Sequence, residues 1–222
     1  MKGPDVTGSE DLGWHGSWRF TRERVVGPEL TLLFHELYET AFGPLRTRAM
    51  ARQVLTAEEF GQQMADADVL KYVAWTPDGD PVGMATLTNE LSTVPWISPE
   101  YFAARYPEQW ARGAVWFFGF VLTHPDQRHS RFLDQLIQVG VDTLVAQEAI
   151  CGYDMCAYND DELGLTRQAA ETLQRAAGTR PNQVDTQNYY AVDFGTRVPA
   201  PPPPPTSPGS VSTSSADRPG TL

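Results

Sequence analysis

Hydrophobic and polar positions along the chain alternate between a period of two and a period near 3.6, so strands and helices are predicted to alternate. Residues 18–26 (WRFTRERVV) are β-capable, and Leu30, Leu33, Phe34, Leu37, Tyr38 and Ala41 then fall on one helical face. Thr56-Ala-Glu-Glu59 spells a capping box, with Phe60 and Met64 one turn apart behind it. Residues 70–75 and 81–88 read as strands joined by Thr76-Pro-Asp-Gly-Asp80, whose Pro-Asp-Gly is turn chemistry. Ser98-Pro99 resembles an N-cap with proline at the first helical position, opening a short helix to Tyr106. Residues 114–123 (AVWFFGFVLT) are apolar on both faces, as a central strand covered on two sides would be. A helix is predicted over 128–147, a strand over 150–158, a helix over 165–177 and a last strand over 187–194 (QNYYAVDF).

That order predicts one α/β domain over residues 14–194. It has a mixed, mostly antiparallel sheet, a parallel β-α-β crossover over residues 114–158, and helices on both faces. Residues 1–13 and the tail 195–222 are expected to be disordered. The tail holds eight of the 18 prolines and no aromatic residue, and Pro201–Pro205 favour an extended polyproline linker.

Composition narrows the function classes. The chain carries 28 acidic against 17 basic side chains, a net charge of −11. Without Arg197, Asp217 and Arg218 of the tail the charge is −12, so the acidity belongs to the folded part. Broad nucleic-acid binding is therefore not expected, whereas cationic partners such as amines are attracted. The longest apolar run, residues 114–122, is far shorter than the ~20 residues of a membrane helix. The start has no apolar signal region, which predicts a cytoplasmic protein without membrane association. Cys151 and Cys156, on one predicted strand, would lie ~16 Å apart on opposite faces, so free thiols are expected. No phosphate-binding glycine loop, nucleophile elbow or metal-ligand spacing is present, and no metal is expected. Of the four histidines, His35 lies mid-helix and His15 near the chain start, and neither is assigned chemistry.

The stretch Phe120-Val-Leu-Thr-His-Pro-Asp-Gln-Arg-His-Ser-Arg-Phe-Leu133 leaves an apolar strand and opens a long helix. Helix N-termini favour anions through unpaired N–H groups and the helix dipole, and Arg128, His129 and Arg131 gather there. With the element order, this junction resembles the GCN5-related N-acetyltransferase (GNAT) superfamily, over roughly residues 18–194. The resemblance implies acetyl-CoA or another acyl-CoA as co-substrate. It implies that Val121 and Thr123 offer backbone groups to the pantetheine arm, that Arg128, His129, Ser130, Arg131, Phe132 and Leu133 form the pyrophosphate loop, and that Asn159 faces the cofactor. Arg131 and Leu133 stand where the family's loop has glycines, and the family's frequent general-acid tyrosine is not evident near Leu173 or Gln174.

The insert 89–113, with Arg105-Tyr106-Pro107-Glu108 and Trp110, has a fainter likeness to the related N-acyl amino acid and acyl-homoserine-lactone synthases. Such an insert either covers an apolar acceptor pocket or buries its aromatics against the sheet. Acyl transfer needs a base for the acceptor amine, an oxyanion donor and an acid for the leaving thiolate. By placement, Glu90 and Asp154 are the candidate bases, the N–H near Val121 the oxyanion donor, and Tyr158 the acid. The expected function is an acyltransferase moving an acetyl or longer acyl group from a CoA or carrier-protein thioester to an amine of a small molecule or protein. A homodimer is the expected assembly. The alternative is a catalytically degenerate GNAT-fold module that binds a ligand or partner.

Overall fold

The computed structural model describes residues 8–124 and 132–195. The chain divides into two units, Met1–Thr186 and Gln187–Leu222. In the first, strands β1 (Glu10–His15) and β2 (Trp18–Glu23) form a hairpin, followed by helices α1 (Pro28–Phe42) and α2 (Ala57–Ala65). A second hairpin, β3 (Val69–Trp75) and β4 (Pro81–Thr88), leads into an insert with two short helices, α3 (Pro99–Arg105) and α4 (Pro107–Ala111). Strand β5 (Val115–Thr123), helix α5 (Phe132–Ala146), the short strand β6 (Ile150–Gly152) and helix α6 (Leu165–Ala177) complete the described elements. The six strands lie in sequence order in one sheet, antiparallel except for the parallel pair β5–β6. This is the predicted mixed α/β architecture.

Local chemistry sets several of these boundaries. The Thr56 hydroxyl accepts from the Glu59 N–H at 3.2 Å, and the Glu59 carboxylate accepts from the Thr56 N–H at 2.7 Å, completing the capping box of α2. Ser98 caps α3 by accepting from the Tyr101 N–H at 3.3 Å, with Pro99 at the first helical position.

Both faces of the sheet are covered. On one, α1 and α2 bring Phe34, Tyr38, Phe60 and Met64 against Val73, Met84, Phe120 and Leu122. On the other, α5 brings Phe132, Leu136 and Val139 against Phe20, Tyr72, Leu87 and Trp116. The insert seats Leu91, Val94 and Phe102 on Val115 and Phe117. Each fully buried side chain of this size stabilises the fold by roughly 1.5–3 kcal/mol relative to exposure. The insert thus buries part of its aromatics while leaving Trp96 and Trp110 exposed.

Three expectations are corrected. Residues 10–13, assigned to a disordered start, belong to β1, where Asp11 and Glu10 pair with Arg19 and Arg22 of β2. The strand expected over 150–158 stops at Gly152, and Tyr158–Glu162 turns into a π-helical segment. The segment 187–194 contains no strand and its residues are all exposed, Tyr190 at 83% and Phe194 at 91%. Its aromatic content gives β-propensity, but a strand also needs a pleated surface to pack on. Cys151 and Cys156 are free thiols as expected, although only Cys151 lies on the strand. No described helix is long and apolar enough to cross a membrane.

Candidate active site

The two edges of β5 differ. Along one edge β4 pairs with it from Phe117 to Thr123; along the other, β6 pairs only with Val115, Trp116 and Phe117. Beyond Phe117 no strand lies beside that edge among the described residues, so a wedge opens between β5 and the chain leaving β6. A bulge sits where the strands part. Ala85 and Leu87 of β4 face Val121 and Phe118, so β5 carries one residue more than β4 across this interval. A bulge bends its strand and increases its twist, which turns β5 away from β6.

Hydrogen-bond direction shows what the open edge offers. The His124 N–H donates to the Val82 carbonyl at 2.8 Å, toward β4. Alternation along an antiparallel strand then turns the N–H and C=O of Thr123 and Val121 the other way, into the wedge. At the bulge the Phe120 N–H is met by the buried Thr86 hydroxyl at 3.1 Å. Gly119 is exposed there, and a Cβ on it would lie 2.5 Å from that hydroxyl oxygen, so the close approach excludes a side chain.

The predicted acid–base groups divide between two places. Asp154 and Tyr158 both lie on the chain leaving β6. Asp154 accepts from Trp96 Nε1 at 3.2 Å, and Trp96 stands edge-on to Phe117, the last β5 residue paired with β6. Asp154 is exposed as a residue, yet desolvation at its carboxyl outweighs the Trp96 bond and raises its pKa, making the ionised form a better base. Glu90 instead caps the short turn Leu91–Thr93, accepting from the Ser92 N–H at 3.3 Å and hydroxyl at 2.6 Å. Those bonds hold its carboxyl below the usual range. Burial thus favours the protonated carboxyl at Asp154, whereas hydrogen bonding favours the ionised one at Glu90.

Tyr158 packs against the cluster that contains Phe120 and Leu122, beside the divergent half of β5. Its hydroxyl accepts from Arg48 Nη1 at 2.6 Å, and the same guanidinium lies over its ring, 4.6 Å from the centroid. Asn159 follows, half-buried in the π-helical turn rather than at a strand end. Arg128, His129, Ser130 and Arg131 lie outside the described residues. Phe132 is the first described residue of α5, with its ring fully buried against Trp18 and Phe20, so its side chain is a core anchor. Leu133 follows it in the helix.

Three residues near this site escape the sequence reading, and a fourth, Trp96, is expected only as one of the insert's aromatics covering a pocket or packing on the sheet. Thr86 and Gly119 meet only through the bulge, Trp96 reaches Asp154 across 58 positions, and Arg48 reaches Tyr158 across 110. Only Arg48 stands in a locally unusual stretch, the arginine-rich Arg46-Thr-Arg-Ala-Met-Ala-Arg52 of an acidic chain. Two surface cavities, of about 390 and 530 Å³, lie away from the wedge, one in the α1–α2 connection and one between the first hairpin and α5. Among the described residues no group of three or more His, Cys, Asp or Glu gathers to hold a metal ion.

No family model matches the chain, and no curated protein matches it. Solved structures that resemble it include acetyltransferases. One is an aminoglycoside acetyltransferase from an uncultured soil metagenomic sample, in complex with sisomicin, at 12% identity and a TM-score of 0.46, over 80% of this chain and 97% of that one. A second is a ribosomal-protein-alanine N-acetyltransferase from Brucella melitensis biovar Abortus 2308, at 14% identity and 0.44, over 80% and 99%. A third is an acetyltransferase from Trypanosoma brucei, at 15% identity and 0.43, over 78% and 99%. At such scores the functional reading rests on the residues of this chain itself.

Proposed function

We propose that the protein is an N-acyltransferase that moves an acyl group from an acyl-CoA thioester to the amine of a small molecule. The observation that carries this reading is the open edge of β5, with the amides of Val121 and Thr123 turned into the wedge and Asp154 and Tyr158 on the chain that borders it. A pantetheine arm carries two amide groups in extended form, and a strand edge is its natural complement. Acyl-CoA enters as a co-substrate. Its pyrophosphate suits the basic run Arg128–Arg131 before α5, where the helix N-terminus adds positive potential.

Asp154 takes a proton from the acceptor amine, directly or through water, and frees the nitrogen lone pair for attack on the thioester carbonyl. The Val121 N–H donates to the carbonyl oxygen as negative charge develops on it. The C–N bond forms, the nitrogen gives up its second proton to solvent, the C–S bond breaks, and Tyr158 gives its proton to the departing thiolate. The guanidinium of Arg48 neutralises the phenolate left behind, until the proton held by Asp154 restores the phenol through solvent. Free Cys151 and Cys156 suit a reducing cytoplasm.

A second reading, a ligand-binding module without catalysis, is favoured by Arg131 and Leu133 at the positions where related loops carry glycine. Thermal shift with acetyl-, hexanoyl- and palmitoyl-CoA, paired with thiol release in the presence of amines, separates the two. A ligand at 100 times its Kd raises stability by ~2.7 kcal/mol. Arg128→Ala is expected to weaken acyl-CoA binding roughly 10- to 150-fold through loss of a charge-assisted contact. Asp154→Asn is expected to slow transfer by about 100-fold or more with acyl-CoA affinity retained. Binding without thiol release selects the second reading; no shift with any acyl-CoA overturns the acyltransferase.

A further inference from the structure

Three arginines stand on the α1–α2 connection, and they are used differently. Arg46 is held bidentately by Glu39, at 2.6 and 2.7 Å, and Arg52 by Glu59 at the same two distances. Arg48 has no carboxylate partner among the described residues. Its Nη1 is spent on the Tyr158 hydroxyl and its Cζ lies over the Tyr158 ring, 4.6 Å from the centroid, so two contacts with one side chain hold the exposed guanidinium in place. The Nε–Nη2 edge is left without a protein partner among the described residues. A planar guanidinium held against an aromatic ring, with one two-donor edge open, is matched to a carboxylate. Arg19 shows that side-on geometry elsewhere in the chain, its Nε and Nη2 donating to the Asp11 carboxylate at 3.2 and 2.9 Å.

Resting on the acyltransferase reading of this site, we infer that the acceptor carries a carboxylate close to its reacting amine, and that the open edge of Arg48 receives it. The spacing follows from Tyr158. Its hydroxyl is adjacent to the leaving sulfur in the proposed reaction and to Arg48 Nη1 in the structure. An anion on the far edge of that guanidinium is therefore a few ångströms from the reacting centre, which suits an amine and a carboxylate separated by one or two carbons. Charge supports the same class. A chain of net −11 repels simple anions, whereas an amino acid zwitterion is neutral overall and meets Arg48 only at close range. Acid-free polyamines would be drawn to the acidic surface but would leave this edge unused.

The test pairs each amino acid with its decarboxylated analogue: L-leucine with 3-methylbutylamine, L-phenylalanine with 2-phenylethylamine, and L-lysine with cadaverine. Thiol release from acetyl-CoA gives kcat/KM for each acceptor, and calorimetry on the CoA-saturated protein gives acceptor affinity independently of turnover. Wild type is expected to prefer the amino acid in at least one pair by about 10-fold or more. Arg48→Met should lower that preference ratio by about 10- to 100-fold, chiefly through acceptor KM, and Arg48→Lys should restore only part of it, because a lysine cannot form the fork. The ratio cancels any common effect of the substitution on Tyr158. Acetyl-CoA binding by thermal shift, measured on the same variants, reports on the acyl site alone. Equal use of both members of every pair, or no binding and no transfer with any amino acid, overturns the carboxylate site while retained acetyl-CoA binding leaves the acyltransferase reading standing. Loss of preference in neither Arg48 variant overturns the role of Arg48. Absence of acetyl-CoA binding in wild type overturns both.

Discussion

Gly83 ties the packing of the sheet to the start of α5, and substituting it should disturb both. A Cβ on Gly83 would lie 2.4 Å from Phe132 Cζ, 2.6 Å from Cε1 and 2.8 Å from the Leu122 carbonyl oxygen. The Phe132 ring has no space to yield. It is fully buried, edge-on to Trp18 at 5.2 Å between centroids and stacked near Phe20 at 6.5 Å. Relief must come from displacement of the first turn of α5 by the order of an ångström, at a cost of about 1–3 kcal/mol for overpacking. Phe132→Ala alone should cost about 3–5 kcal/mol through the cavity it leaves. In that background the ring clash is gone, and only the contact with the Leu122 carbonyl remains. Gly83→Ala should then cost less than in wild type, because only the 2.8 Å approach to the Leu122 carbonyl is left to relieve, and the difference is the coupling energy. Urea denaturation of the four proteins, wild type, both single variants and the double variant, measures this cycle. Acyl-CoA titration should show weaker binding in Gly83→Ala, because residues 128–131 immediately precede the displaced turn. Strict additivity of the two substitutions, or a Gly83→Ala protein as stable as wild type, would refute the claim that the glycine exists to admit this ring.

Two further outcomes follow from buried polar groups. Thr86→Val keeps the shape of the side chain but removes the acceptor for the Phe120 N–H, and should cost about 1–3 kcal/mol by urea denaturation; a change below ~0.5 kcal/mol would mean that the bulge does not depend on this bond. Lys71 is fully buried, its ammonium donating to the Arg24 and Asp66 carbonyls, and burial pushes its pKa down to about 8 from 10.5. Between those values the folded state has released a proton that the unfolded chain still holds, so stability should rise with pH through that window by up to about 3 kcal/mol. Urea midpoints from pH 7.5 to 10 should show a steeper rise for wild type than for Lys71→Met, and parallel curves would contradict it.

Much of the fold is written locally. The capping box at Thr56, the Pro-Asp-Gly turn between β3 and β4, the Ser98-Pro99 start of α3 and the apolar β5 each depend on residues within a few positions of one another, and each forms as the pattern predicts. What the pattern does not disclose is pairing. β1 is an edge strand with only one neighbour, and its sequence, Glu10-Asp-Leu-Gly-Trp-His15, has weak alternation because one hairpin partner and two surface ion pairs suffice to hold it. β6 is predicted too long for the converse reason. Residues 153–158 keep a mixed apolar character after the sheet has ended, because Tyr158 and Cys156 bury against α1 and β5 from outside the strand. For the site, Asp154 and Tyr158 are legible as residue types near a strand end, while their partners Trp96 and Arg48 come from the insert and from the α1–α2 connection, at separations no local pattern encodes.

The openness of the wedge is itself an energetic statement. A strand covered on both faces normally satisfies its backbone on both edges, because an unpaired amide away from water costs about 1–3 kcal/mol. β5 is covered by α1 and α2 on one side and by α5 on the other, yet its edge from Val121 to Thr123 faces no strand among the described residues. Extending β6 in its present register to residue 158 would satisfy those groups and stabilise the fold. Instead the extra residue at Gly119 and Phe120 turns β5 aside, and Thr86 satisfies the one N–H that the bulge would have stranded on the β4 side. The bulge is thus hydrogen-bonded where it meets the core and left open where it meets the wedge. That asymmetry is unfavourable for stability alone and favourable for docking an extended, amide-bearing chain, which is the physical ground for the site proposed at this edge.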